Sequence, residues 1–155
     1  MFYREWQVAD TLEGRFEMVT LHVALLLRRL TAESQPGKRL GQAVLEEMFA
    51  SLDDDMRELG VSDLRVPKRV QGAASAFYGR LRAYDAALQS ADGSALRDAL
   101  ARNLPAAGAL PVAVDALAAY VWSAADSLGQ QPLATLSLGQ LVFAPPRPKQ
   151  RSETS

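Results

Sequence analysis

The chain contains no cysteine, no isoleucine and a single histidine, His22, among its 155 residues. Without thiols it has no disulfide, no thiolate zinc site, no cysteine nucleophile and no cysteine redox chemistry. One histidine excludes a multi-histidine metal centre. Neither sign of charge is in excess: 17 Lys and Arg stand against 18 Asp and Glu, for a net charge of −1. Such a balance gives no field to steer nucleic acid. Long apolar runs are also missing. The longest uncharged stretch, residues 127–146, holds nine apolar residues broken up by two glycines and three prolines. A transmembrane helix needs about 20 predominantly apolar residues. The opening MFYREWQVADTLE is mixed in character, unlike a secretory h-region or an arginine-rich presequence. The expectation is a soluble intracellular protein.

What is abundant is helix-forming. The sequence has 26 Ala and 23 Leu, against 11 Val and no other aliphatic β-branched residue. Ala and Leu favour helices, and β-branched residues favour strands. The fold class expected is all-α: a single compact bundle of five to six helices over residues 1–144, with a disordered tail over 145–155. The first helix is expected over 13–30. Its stripes are Phe16, Val19, Val23, Leu26 or Leu27 and Leu30, and Met18, Leu21 and Leu25. Residues 18–27 carry no charge, which marks a central buried helix.

Gln35-Pro36-Gly37 is expected to break the chain. A second helix over 38–59 carries Leu45, Phe49, Leu52, Met56 and Leu59 at 4-3-4-3 spacing, a one-sided seam that Gly60 ends. The third opens near Pro67, continues to about Gln89 and shows the stripe Val70, Phe77, Leu81, Tyr84 and Leu88. After an Ala91-Asp92-Gly93 turn, Ser94 serves as N-cap of a short helix over 95–103. Pro111 starts the fifth, faced by Val114, Leu117, Val121, Ala124 and Leu128. Residues 133–144 suit either a short helix or an extended segment, with helix preferred.

Two neighbouring segments carry opposite charge. Residues 41–63 hold seven acids against one base, and residues 64–84 hold five bases and no acid. The two segments either pair with each other or present one patch, or both, to a partner. Catalytic signatures are scarce. There is no nucleophile elbow, no phosphate-binding glycine loop and no paired-histidine zinc motif. His22 sits midway along the most apolar helix, a place for a hydrogen-bonded core or boundary residue. Asp54, Asp55 and Glu58 have the DDxxE spacing by which helical prenyl-transferring enzymes hold Mg²⁺ and diphosphate. They fall on the solvent side of the seam, lack a second acidic motif and sit in a short chain, so a solvated face is the preferred reading. An enzyme acting on prenyl diphosphates is kept as the alternative. The basic stretch 65–82 is too sparse for a DNA footprint.

Three segments read together resemble the ubiquinol–cytochrome c chaperone family: EGRFEMVTLHVALLLRRL (13–30), FASLDDDMRELGVSDLRVPKRV (49–70) and AFYGRLRAYDAAL (76–88), extended through ALARN (99–103). The likeness covers roughly two-thirds of the chain and looks like the bacterial branch. It implies an all-helical chaperone without catalytic activity, cofactor or metal. Its client would be newly made cytochrome b of the respiratory bc1 complex, in the bacterial cytoplasm or at the periphery of the inner membrane. Mitochondrial members also work near the ribosome with a small partner protein. After Lys68-Arg69 the family keeps further bases, whereas this chain reads Val70-Gln71-Gly72-Ala73-Ala74.

A chaperone for an apolar client needs an apolar surface edged by charge. The expected contact residues are Asp63, Leu64, Arg65, Lys68, Arg69, Tyr78 and Arg80, beside Val61 and Val66. Leu64 and Val66 could equally plug the end of the bundle, and Tyr78 could be half-exposed or hydrogen-bonded inside it. Arg147, Lys149 and Arg151 give the tail three bases for a ribosomal or membrane surface, below the number of a polybasic signal.

Overall fold

The computed structural model describes residues 1–90, 93–104 and 110–146. Among these the regular structure is helical throughout, in six helices. They are α1 (Leu12–Thr31), α2 (Gln35–Glu58), α3 (Val66–Ser90), α4 (Gly93–Asn103), α5 (Pro111–Gly129) and α6 (Leu133–Ser137). The expected break at Gln35-Pro36-Gly37 is instead the first turn of α2, because proline is tolerated where the backbone N–H has no intrahelical partner. The chain actually turns at 32–34. Likewise α4 begins at Gly93, so Ser94 lies inside its first turn. Residues 133–144 divide: α6 ends at Ser137, Gly139 takes a positive φ of 73°, and the chain runs on without helix. The Ala91-Asp92 turn and the tail from Arg147 onward lie outside the described residues.

Helix α1 is central. Met18, Leu21, Ala24, Leu25, Leu27 and Leu30 are buried, and α2, α3 and α5 pack on it. The stripe through Met18, Leu21 and Leu25 is the deep one. Val19, on the other stripe, is 52% exposed. The main core joins α1 to Tyr84, Leu88, Leu96, Leu100, Leu117 and Val121 of α3, α4 and α5. It also takes in Trp6 and Val8 from the N-terminal segment, which has no helical periodicity to advertise it.

Polar ties reinforce this body. Arg80 of α3 makes a two-pronged pair with Glu17 of α1, its Nε donating to Oε2 at 2.6 Å. Arg28 pairs with Asp85, again joining α1 to α3. Arg29 donates from Nε to the Leu128 carbonyl at 2.9 Å and from Nη2 to the Gln131 carbonyl at 2.9 Å, so α1 is tied to the end of α5 and the turn beyond it. Arg97 and Asp115 tie α4 to α5 at 2.7 Å.

Two glycines separate close approach from open space. A Cβ on Gly14 would lie 1.9 Å from the Ala9 carbonyl oxygen, while around Gly72 nothing lies within 4 Å. Gly14→Ala is therefore expected to destabilise by about 1–3 kcal/mol through overpacking. Gly72→Ala, inside a helix, should stabilise by roughly 0.5–1 kcal/mol. Urea unfolding of the two variants measures both.

Candidate functional site

The segment between α2 and α3 is a built turn. Gly60, at φ 79°, follows the C-cap Leu59. Its N–H donates to the Arg57 carbonyl at 2.9 Å, and Val61 N–H donates to Met56 O at 3.0 Å. That pair of bonds is the Schellman pattern, and it directs the chain away from α2. Arg65 N–H then bonds Ser62 O at 2.7 Å, which closes a tight turn with Asp63 and Leu64 at its apex. Arg57 pairs with both Asp53, at 2.7 Å, and Asp63, fastening the turn to the last part of α2.

The turn presents apolar side chains to solvent. Leu64 is 95% exposed and Leu59 is 69% exposed. Leu64 does not plug the bundle; Val66, fully buried, does that alone. Arg65, Lys68 and Arg69 are exposed, and no ion pair engages them among the described residues. Of the two readings of the oppositely charged segments, pairing with each other is not seen among the described residues. Arg57 turns to acids of its own segment, and Arg80 turns to Glu17 of α1.

The charges also oppose the helix dipoles nearest to them. Asp53, Asp54, Asp55 and Glu58 crowd the C-terminal turns of α2, and Lys68 and Arg69 occupy the first turn of α3, which holds no acid. Helix stability prefers the reverse arrangement, by roughly 0.3–1 kcal/mol per exposed charge.

The expected contact residues do not form one patch. Asp63, Leu64, Arg65, Lys68 and Arg69 cluster at the hairpin tip. Arg80 lies twelve residues beyond Lys68, about 18 Å along the helix axis. It is largely buried against Glu17 and lines a separate cleft of about 410 Å³ with Arg102 and Asn103. Tyr78 is 43% exposed and edge-on to Phe77 at 5.7 Å, between the two places.

Asp54, Asp55 and Glu58 are exposed on α2. Among the described residues no group of three or more acidic or histidine side chains is arranged to hold a metal ion. No described helix is long and apolar enough to cross a membrane.

His22 is a structural residue. Its Nδ1 lies 2.7 Å from the Met18 carbonyl, which only accepts, so Nδ1 carries the proton. Its Nε2 then accepts from the Tyr120 hydroxyl at 2.6 Å. Phe2 and Phe143 meet the ring edge-on at 5.8 and 4.7 Å. Burial lowers the His22 pKa, partly offset by the Met18 bond, and pushes Tyr120 up to about 12. Beside this cluster an open apolar groove of about 620 Å³ is lined by Phe2, Tyr3, Val19 and Val23. The aromatic partners come from both ends of the chain, which no local spacing reveals.

A helical bundle with a charged, apolar-tipped hairpin and a histidine committed to packing has the build of a binding protein. The model of one family, described as ubiquinol-cytochrome C chaperone, matches residues 4–143, and the chain belongs to that family. The crystal structure of the Cbp3 homolog from Brucella abortus superposes with a TM-score of 0.81 at 39% identity, over 93% of this chain and 80% of that one. Ubiquinol-cytochrome-c reductase complex assembly factor 1 of Xenopus laevis is 26% identical over 103 residues, 66% of this chain and 51% of the frog protein. The Drosophila melanogaster counterpart is 28% identical over 96 residues, 59% of this chain and 37% of the fly protein. The chain thus spans about half or less of the animal relatives.

Two outcomes follow from the site geometry. Leu64→Ser should change stability by less than about 0.5 kcal/mol, as for an exposed position, whereas Val66→Ala should cost roughly 1–3 kcal/mol. Denaturant titration separates them. Because the folded state holds His22 below its ordinary pKa, the unfolded chain binds more protons as pH falls through about 6.5. The melting temperature should therefore drop between pH 7.5 and 5.5, and His22→Gln should flatten that slope.

Proposed function

We propose that this protein is a non-catalytic assembly chaperone of the ubiquinol–cytochrome c reductase complex, and that it captures newly made cytochrome b through the α2–α3 hairpin tip. The observation that carries the site is Leu64, almost wholly exposed at the apex of an ordered turn and flanked by three cations that no ion pair engages among the described residues. An exposed leucine held by backbone bonds has no packing role. Charges set against their own helix dipoles do not serve local stability either. Both features fit recognition of a partner that is apolar and carries polar ends, as segments of a membrane protein do.

The family description and the names of the animal relatives support the client complex. Capture at such a tip is reversible, because it buries little area and its electrostatic part is screened by salt. Release accompanies maturation of the client, which withdraws its own apolar surface. The work is done at the cytoplasmic side of a bacterial inner membrane, without a membrane-crossing helix from the described residues.

Reversing the tip charge tests the site. Lys68→Glu with Arg69→Glu should weaken capture of apocytochrome b at least about tenfold, equivalent to roughly 1.4 kcal/mol, with an unchanged circular dichroism spectrum. Deleting the gene should lower assembled complex and cytochrome b without lowering their transcripts. Normal assembly in the deletion strain removes the function. Normal capture by the double variant removes only the site.

A further inference from the structure

Helix α2 is attached to the molecule differently from every other long helix. It has 24 residues, yet only Gly37 and Gly41 are buried. Its seam residues Leu45, Phe49, Leu52 and Met56 are half-buried, none fully so. Among the described residues no ion pair or side-chain hydrogen bond joins α2 to another helix. Gln42 bonds Glu46, and Arg57 bonds Asp53 and the turn residue Asp63. The ties made by Arg28, Arg29, Arg80 and Arg97 join α1, α3, α4 and α5 instead. The N-cap Ser34 makes no side-chain capping bond.

Beneath α2 lies a second, smaller apolar face. Leu27 and Leu30 of α1 and Val66 and Phe77 of α3 are buried but stand outside the main core. A Cβ on Gly41 would sit 3.4 Å from Leu27 Cδ2, and Phe49 meets Phe77 edge-on at 5.9 Å, so α2 is what covers this face. Thr20 lies seven residues before Leu27, hence on the same stripe of α1. Its hydroxyl is fully buried and has no hydrogen-bond partner. A polar atom left so is a mark of incomplete fit.

We infer that α2 is a displaceable cover, and that the α1–α3 face beneath it accepts an apolar, transmembrane-type helix of the client in its place. The identity of that occupant rests on the chaperone reading above; the detachability of α2 does not. The face is shaped for a helix, because a helix fills it now. The present one brings a single apolar seam and a charged reverse side. A helix apolar on all sides would bury the same seam and also cover the flanks that α2 leaves wet. A second copy of this chain, exchanging its α2, would bring the same acids and no additional apolar surface. Three residues join α1 to α2, and the far end turns on Gly60, where an added Cβ would meet nothing within 4 Å.

The absence of native cysteine makes the test clean. Thr20→Cys places a thiol of similar size on the Leu27 stripe of α1, and Ala124→Cys places one in the main core, both at fully buried positions. Under native conditions the Cys at 20 should react with an aromatic disulfide reagent at least 100-fold faster than the Cys at 124. A Lys-flanked Leu-Ala helical 20-mer should suppress that reaction, and at the same time raise amide exchange across residues 42–58. Equal thiol rates overturn the cover. Fast labelling that the peptide leaves unchanged overturns the occupant, and so does a concentration-dependent dimer with exchanged α2. Should either cysteine variant fail to fold, amide exchange on the unmodified chain decides. Protection of α2 must fall at least tenfold below that of α1 and α5, and equal protection ends the inference. None of these readouts uses the tip charges or cytochrome b, so they are independent of the capture experiment.

Discussion

The structure depends on what holds α1. That helix is nearly uncharged in its middle and is surrounded on three sides, and its burial is the main apolar gain of the fold. Apolar contact alone is non-directional, so it does not fix which neighbour sits where. Direction comes from a few charged side chains at the margins of the contact. Glu17–Arg80 and Arg28–Asp85 set α3, and Arg29 sets the end of α5. Glu17, Arg80 and Arg29 are largely withdrawn from solvent, where a charge left alone would be costly. They therefore penalise any arrangement that separates them, and so fix α3 and the end of α5 on α1.

Where those constraints stop, a different kind of surface begins. Among the described residues α2 receives no polar tie from the body, its seam is only partly buried, and the turn beyond it exposes leucines beside cations that no described ion pair engages. A chaperone has conflicting needs. It must show apolar surface to an unfinished client, and it must not aggregate through that surface. Placing the apolar residues on a narrow tip and along one flank, under a dense cover of acids and bases, meets both. Interspersed charges keep copies apart.

Much of this was legible in the residues. Absence of isoleucine and thiols, the alanine and leucine content, and the 3.6-residue periodicity identify a helical bundle, and all the long helices lie where periodicity places them. The misreadings have specific causes. Pro36 read as a breaker because proline signals a break inside a helix and tolerance at its start, and the sequence does not say which applies. Trp6 and Val8 join the core from a segment with no repeat, positioned by turns such as the Val8 N–H to Phe2 carbonyl bond at 3.1 Å. Arg80 was grouped with the tip because it shares a helix and a sign with Lys68 and Arg69. Only the crossing of α3 over α1 reveals Glu17 as its partner. The seam of α2 was fully legible as a pattern, but how deeply a seam is buried depends on what faces it, and that is a property of the assembled molecule.

The same reasoning explains why the hairpin, rather than the grooves, carries the functional reading. Three clefts on the body are walled in part by groups that already satisfy one another. Arg28 and Asp85 are paired in one, Glu17 and Arg80 in another, and His22 in the third is saturated by Met18 and Tyr120. A ligand entering there would have to displace existing bonds before forming its own. At the hairpin the cations and leucines have only water to lose. Binding energy is available to a partner where the fold has left it unspent, and that is the ground on which α2 and the turn that follows it are proposed as the contact.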